Sequence, residues 1–304
     1  SACHAQMYTM GTLLRHGSEA QKNEYLPAIA SGELRLQAFG ITESASGSDT
    51  TNLRTRAERR GPEYIVNGRK IWISRALHSD LMLLLARTTP RDRVTKPTDG
   101  LSVFLIDLRS LKDNGVEIQP IDTMINHNTT EVFFNDARIP RKSLIGEEGK
   151  GFRYILDGLN AERILIASES IGDARFFLYQ ATNYAHDRKV FGKPIGRNQG
   201  IQFPLARVHA ETEAAELMAR KAAALFDRGV PCGGEANMAK LLCAEAAWHA
   251  GEACMQTFGG FAFSREYDIE RKWREARLYL TAPVSTNLLL AYIGQHILGL
   301  PKSY

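Results

Sequence analysis

Glu162 stands where an apolar residue is expected. In the segment after Gly151, Ile155, Leu159 and Ile166 recur at heptad-like spacing, and Glu162 falls three residues after Leu159 and four before Ile166. A carboxylate on a core-facing stripe costs free energy unless it is paired or neutral. Burial moves a carboxyl group toward neutrality, the direction a general base needs to take a proton from a weak carbon acid. The position equally suits a structural ion pair, to Arg163 or another arginine nearby, with the carboxylate at the edge of the stripe. Other chemistries find less support. The eight histidines do not cluster at metal-ligand spacing; His249 and His296 read as helix residues, and no metal is expected. Cys3, Cys232, Cys243 and Cys254 form no C-x-x-C pair, which argues against a zinc site or disulfide framework and fits a reducing compartment. No G-x-G-x-x-G follows a strand, so a Rossmann site is not supported.

Three regions must position Glu162. Residues 1–36 read as helical, with Ser18 and Gln21 as a capping box before a short helix that stops near Pro27. Residues 37–149 carry short β-rich runs at Tyr64–Val66, Lys70–Ser74, Leu81–Arg87, Val103–Leu108, Val116–Ile118 and Glu131–Phe134. Asn67-Gly68 reads as a hairpin turn between the first two, and the whole as a compact antiparallel sheet or barrel. From residue 150 onward the pattern is long helices, at about Phe152–His186, Ile201–Phe226, Glu235–Phe258 and Val284–Leu298, a bundle. The fold class is therefore α+β. Lys and Arg exceed Asp and Glu by 38 to 34 without blocks of like charge, so neither nucleic acid nor a membrane surface is the expected partner; Arg91–Arg93 and Arg138–Arg141 read as solvated loops. Leu81–Ala86 is far too short to span a bilayer, and no signal-peptide pattern opens the chain. The chain does not begin with Met and Ser1–Gly17 reads as the middle of a helical segment, so an N-terminal stretch is expected to be missing.

Several spaced blocks carry a resemblance. Phe39-Gly40-Ile41-Thr42-Glu43-Ser44-Ala45-Ser46-Gly47-Ser48-Asp49 resembles the flavin loop of acyl-CoA dehydrogenases. Gly17–Gly32 is similar to the family's helix and turn before the β domain, and Asn67–Ser74, with Trp72, to its second flavin strand. Leu144–Phe152 is similar to the start of its helical bundle. Arg188–Ile195 with Gln199 resembles its R-x-x-F-G…Q block, and Gln256-Thr257-Phe258-Gly259-Gly260 its Q-x-x-G-G turn. The blocks keep the family's order and cover nearly the whole chain.

The resemblance implies a fold and a set of roles: a remnant of the N-terminal helical domain over 1–36, a β domain over 37–149 and a four-helix C-terminal bundle over 150–304. It implies FAD as cofactor and an acyl-CoA as substrate. Phe39, Ile41, Thr42, Gly47 and Ser48 would contact FAD, Ser48 also the substrate; Trp72 would pack on the isoalloxazine, with Ile73 and Ser74 near its N5. Arg188, Phe191, Gln199, Gln256, Gly259 and Gly260 would reach the FAD of a neighbouring subunit, with Ser285 and Asn287 further cofactor contacts. A homo-oligomer follows, in the family usually a dimer of dimers. An electron-transfer flavoprotein is the implied acceptor, in a bacterial cytoplasm or a mitochondrial matrix.

Many members of the family carry the base in a Y-E-G-T-like turn near the C-terminus; here Pro283 takes the glutamate's place within Tyr279–Ser285. Isovaleryl- and long-chain-type members instead carry it in a G-L-x-x-E-R segment. This chain reads Gly158-Leu159-Asn160-Ala161-Glu162-Arg163, which makes Glu162 the implied base, with Asn160 and Arg163 flanking the CoA channel. Pro283 has a second consequence, because relatives polarise the thioester carbonyl with a backbone N–H at that position and proline has none. Either Val284 donates instead, or the flavin ribityl hydroxyl does more, or the chemistry differs. The expected reaction is α,β-dehydrogenation. An acyl-CoA oxidase, a flavin monooxygenase and a non-catalytic acyl-CoA-binding homologue are the competing readings.

Overall fold

A computed structural model describes residues 2–112 and 114–302. The chain divides into two units after Leu159. Helix α1 covers Ala2–His16 and α2 covers Glu19–Ser31. The capping box forms: Gln21 N–H donates to Ser18 Oγ and Ser18 N–H to Gln21 Oε1, at 3.2 and 2.9 Å. The helix does not stop near Pro27 as the sequence suggests. It runs on for a turn because Ile29 is buried (2% exposed) and Gly32, at φ 82°, closes the end left-handed. Core packing there outweighs the one backbone bond that proline removes.

The β strands are β1 (Leu36–Gly40), β2 (Arg56–Arg60), β3 (Glu63–Ser74), β4 (Leu81–Arg87) and β5 (Leu101–Asp107). After the short helix α3 (Leu108–Leu111) come β6 (Val116–Pro120), β7 (Thr129–Pro140) and β8 (Leu144–Ile145). They pair in the order β6-β7-β3-β2-β4-β5-β8, with β1 beside β4. Most pairs are antiparallel as expected, but β1 runs parallel to β4, so the sheet is mixed. Strand β4 is apolar on both sides because both its faces are covered. Met82, Leu84 and Ala86 join one core with Tyr64, Val66, Phe104 and Val132; Leu81, Leu83 and Leu85 join another with Leu13, Ile29, Val103 and Ile155.

Asn67-Gly68 is not a hairpin turn. It lies inside β3, at an irregularity in the register with β7 between Val66 and Gly68, and the β2–β3 turn falls at Gly61-Pro62 instead. Asn67 exchanges bonds with Asp136, Nδ2 donating to Oδ1 (2.9 Å) and Oδ1 accepting from the Asp136 N–H (3.0 Å). Gly68 has φ 152°, and a Cβ there would lie 2.6 Å from Thr55 Cα. The pair marks a bulge with close backbone approach, the other use of glycine in a strand.

Helix α4 (Gly151–Asp187) starts in the first unit and supplies the first long helix of the second. A small hairpin of β9 (Lys189–Val190) and β10 (Lys193–Pro194) follows, then α5 (Gln199–Asp227), α6 (Gly233–Phe258), α7 (Ile269–Tyr279) and α8 (Thr286–Tyr292). Small side chains set the packing. Ala174, Ala181, Ala247 and Ala250 surround Phe177 in one core; Ala167, Ala215, Ala219, Ala239 and Cys243 form another with Ile171. Among the described residues no helix is long and apolar enough to cross a membrane.

Candidate active site

In the first unit, the loop after β1 is tied to β3. The Ile71 N–H donates to Thr42 O (2.9 Å), which sets Thr42 beside the strand carrying Trp72 and Ser74. The loop itself closes on a buried charge. Glu43 is 7% exposed and its Oε1 accepts from Lys70 Nζ (2.9 Å) and the Thr55 N–H (2.9 Å), its Oε2 from the Arg54 N–H (2.6 Å). Burial pushes the Glu43 carboxyl up, but the Lys70 charge and the hydrogen bonds outweigh it and hold it below its usual range. Lys70, fully buried, also donates to Ile41 O and is pushed down to about 8 by burial. Residues 43–54 thus form a closed loop that presents Gly47 and Ser48 to solvent.

Trp72 is 58% exposed although Lys70 and Ile73 beside it are buried, and its φ is 62°. A bulky residue in the left-handed region carries backbone strain, and an exposed indole within a strand is a surface for a flat ligand. Ser74 Oγ accepts from Asn126 Nδ2 (2.7 Å). Phe39 and Ile41 are partly buried. Exposed ring, hydroxyl and the solvent-facing Gly47 and Ser48 of the closed loop together fit one edge of a flavin.

In the second unit, Glu162 is 5% exposed, on the buried side of α4 with Ile166. Its charge favours the neighbouring Arg163 guanidinium, which burial otherwise pulls down. Arg163 Nη1 donates to Asn160 Oδ1 (3.2 Å), and its buried Nε–H has no acceptor among the described residues. Arg163 also lies near Tyr292 and Lys240. The turn after α7 is tied down here: Lys240, on α6 and fully buried, donates to the carbonyls of Tyr279 and Val284, the latter at 2.7 Å. Pro283 is exposed, and Ser285 Oγ accepts from the Leu288 N–H to cap α8, with Asn287 exposed in its first turn.

A separate pocket in this unit is lined by Tyr184, Arg188, Val190, Phe258, Gly259 and Gly260, among others. Arg188 sits over the Phe261 ring at 5.6 Å. Phe191 and Gly192, at φ 50° and 76°, make the two-residue β9–β10 turn, and Phe191 is fully exposed at its tip. A Cβ at Gly259 or Gly260 would meet nothing within 4 Å, so both border open space; Gln199 and Gln256 are exposed. An arginine, exposed aromatic rings and bare backbone suit a phosphate-bearing cofactor. The sequence singled out Arg188, Gly259 and Gly260, gave Glu43 and Lys70 no role within the motifs that contain them, and left Lys240 and Tyr292 unmarked. Lys240 left a signal, since it is four residues from both Ala236 and Ala244 on one face of α6.

Three family models match the chain. The acyl-CoA dehydrogenase N-terminal, middle and C-terminal domain models match residues 1–33, 38–137 and 149–298. The acyl-CoA dehydrogenase FadE12 of Mycobacterium tuberculosis (strain ATCC 25618 / H37Rv) is 36% identical over 297 residues, 97% of this chain and 75% of that protein. The structure of a glutaryl-coenzyme A dehydrogenase–glutaryl-CoA complex superposes with TM-score 0.92 at 33% identity, covering 99% of this chain and 77% of that one. An FAD complex of PigA superposes with TM-score 0.91 at 29% identity, over 98% and 77%. The chain belongs to the acyl-CoA dehydrogenase family of flavin oxidoreductases, whose cofactor is FAD.

Proposed function

We propose that this chain oxidises an acyl-CoA across its α and β carbons to the trans-2-enoyl-CoA, with Glu162 as the base. The observation that carries the reading is the buried Glu162 on α4, beside Arg163, in a chain whose C-terminal turn holds Pro283 in place of a carboxylate. FAD, when bound, supplies the acceptor for the hydride that leaves the β carbon. Glu162 takes the α proton, and its low exposure keeps water from competing for that carboxylate. Asn160 and Arg163 flank the CoA channel, and the Val284 N–H takes the place of the donor that proline lacks in polarising the thioester carbonyl. Phe39, Ile41, Thr42, Gly47, Ser48, Trp72 and Ser74 hold the flavin from the β domain; Ile73, 2% exposed, packs in the core instead and leaves no surface for it. Arg188, Phe191, Gln199, Gln256, Gly259 and Gly260, with Ser285 and Asn287, hold FAD from the helical domain of a homo-oligomer. An electron-transfer flavoprotein accepts the electrons, a reading supported by the caffeyl-CoA reductase–Etf complex subunit CarC of Acetobacterium woodii, 35% identical over 272 residues.

An oxygen-using reaction is the second reading, favoured by the likeness to the prolyl acyl carrier protein oxidase AnaB (TM-score 0.90, 26% identity). Anaerobic mixing of the FAD-loaded enzyme with straight, branched and dicarboxylic acyl-CoAs separates the two. Bleaching of the flavin with formation of the enoyl-CoA is expected. No bleaching by any of them overturns the dehydrogenation reading.

A further inference from the structure

Lys240 is a buried cation that meets no counter-ion among the described residues. It is 0% exposed on α6, and among the described residues the charge it feels is that of Arg163, with no carboxylate in ion-pair contact. Its ammonium is pushed down to about 8, by burial first and then by the charge of Arg163. A methionine would fill the same space without desolvating a charge. What the ammonium adds is two hydrogen bonds, to the carbonyls of Tyr279 and Val284. These carbonyls flank the turn that carries Pro283.

The turn is anchored on its other sides as well. The Tyr279 hydroxyl donates to Asp173 Oδ2 (3.2 Å) on α4, and Lys272 Nζ holds Asp173 Oδ1 (2.5 Å). The Thr286 N–H and Oγ1 both donate to Leu280 O (3.2 Å), bridging the turn internally. The Thr281 and Ala282 N–H groups are used up on Leu278 O. Among the described residues the Val284 and Ser285 N–H groups meet no acceptor, and of the two Val284 stands next to the residue that has no N–H.

We propose that Lys240 is a positioning residue for the reaction: its two carbonyl bonds hold residues 280–285 so that the Val284 N–H stays aligned on the thioester carbonyl of the substrate. The role rests on the dehydrogenation proposed above. Lys240 touches neither substrate nor cofactor in this account and acts through the backbone alone.

The test compares FAD-loaded wild type with Lys240→Met, and with Lys240→Gln, which keeps a donor should the methionine variant fail to fold. Tyr279→Phe is the control, since it deletes the bond to Asp173 and leaves the carbonyl clamp intact. Hydrogen–deuterium exchange of peptides spanning 279–290 reads the turn; kcat and KM are read with the acyl-CoA that bleaches wild type fastest. Faster exchange in those peptides is expected in the Lys240 variants. A kcat loss of about 100-fold with KM within about threefold is expected for methionine and a smaller loss for glutamine, the size seen when one oxyanion donor is lost. Tyr279→Phe lowers Tm but keeps kcat within about threefold. Unchanged exchange overturns the clamp. Faster exchange with unchanged kcat, or an equal kcat loss in Tyr279→Phe, overturns the positioning role. If no acyl-CoA bleaches wild type, the dehydrogenation reading fails, and the positioning role with it, while the exchange result still decides whether Lys240 holds the turn.

Discussion

Lys70 Nζ lies 2.9 Å from Glu43 Oε1, with the lysine fully buried and the glutamate 7% exposed. The pair closes residues 43–54 into a loop by gathering the Arg54 and Thr55 N–H groups on the same carboxylate. Removing one partner strands the other charge, which costs about 3–5 kcal/mol at buried sites. Lys70→Met is expected to lower Tm by roughly 10 °C and to weaken FAD retention, read by thermal unfolding and by flavin content after gel filtration. A Tm within a degree of wild type would contradict the closure.

The same pair sets an acid limb. Glu43 is held below its ordinary 4.5 in the folded state, so its contribution to stability is full above that value and is lost as pH falls through the lower folded one. Denaturant unfolding between pH 6 and 3 should show wild type losing stability below about pH 4.5, more steeply than Glu43→Gln. Parallel curves for the two proteins would remove Glu43 from the account.

Gly68 should tolerate no side chain. A Cβ there meets Thr55 Oγ1 at 2.4 Å and Thr55 Cα at 2.6 Å, on a φ of 152°. Gly68→Ala is expected to cost about 2–4 kcal/mol, seen as a lower denaturation midpoint. Gly61→Ala, where φ is 61° but a Cβ meets nothing, should cost about 1 kcal/mol. Equal costs would place the strain in φ rather than in the contact.

Trp72 should matter to the flavin and little to the fold, because its ring is mostly exposed. Trp72→Ala is expected to leave the apoprotein Tm within about 2 °C while weakening FAD binding about tenfold by titration. Unchanged FAD affinity would take the indole off the flavin.

How much was legible in the sequence follows from what each signal depends on. Glu162 was legible because helical burial periodicity is local, and the Leu81–Arg87 strand because an unbroken short apolar run is local too. Asn67-Gly68 misled because the same dipeptide serves a tight turn and a bulge, and only the partner strand, with Thr55 pressed against Gly68, decides between them. Pro27 misled because one lost backbone bond is outweighed by the burial of Ile29. Glu43–Lys70 and the grip of Lys240 on Tyr279 and Val284 join residues 27 to 44 positions apart, and no local pattern encodes such pairings.

The proposed role of Glu162, removal of the α proton, is tested by stopped-flow flavin bleaching under anaerobic conditions, with Glu162→Gln beside wild type and the fastest acyl-CoA of the panel. Loss of the base predicts bleaching slower by about 10²–10⁴-fold, with FAD content and Tm retained. Bleaching by the glutamine variant at the wild-type rate would make Glu162 a structural carboxylate and place the base elsewhere.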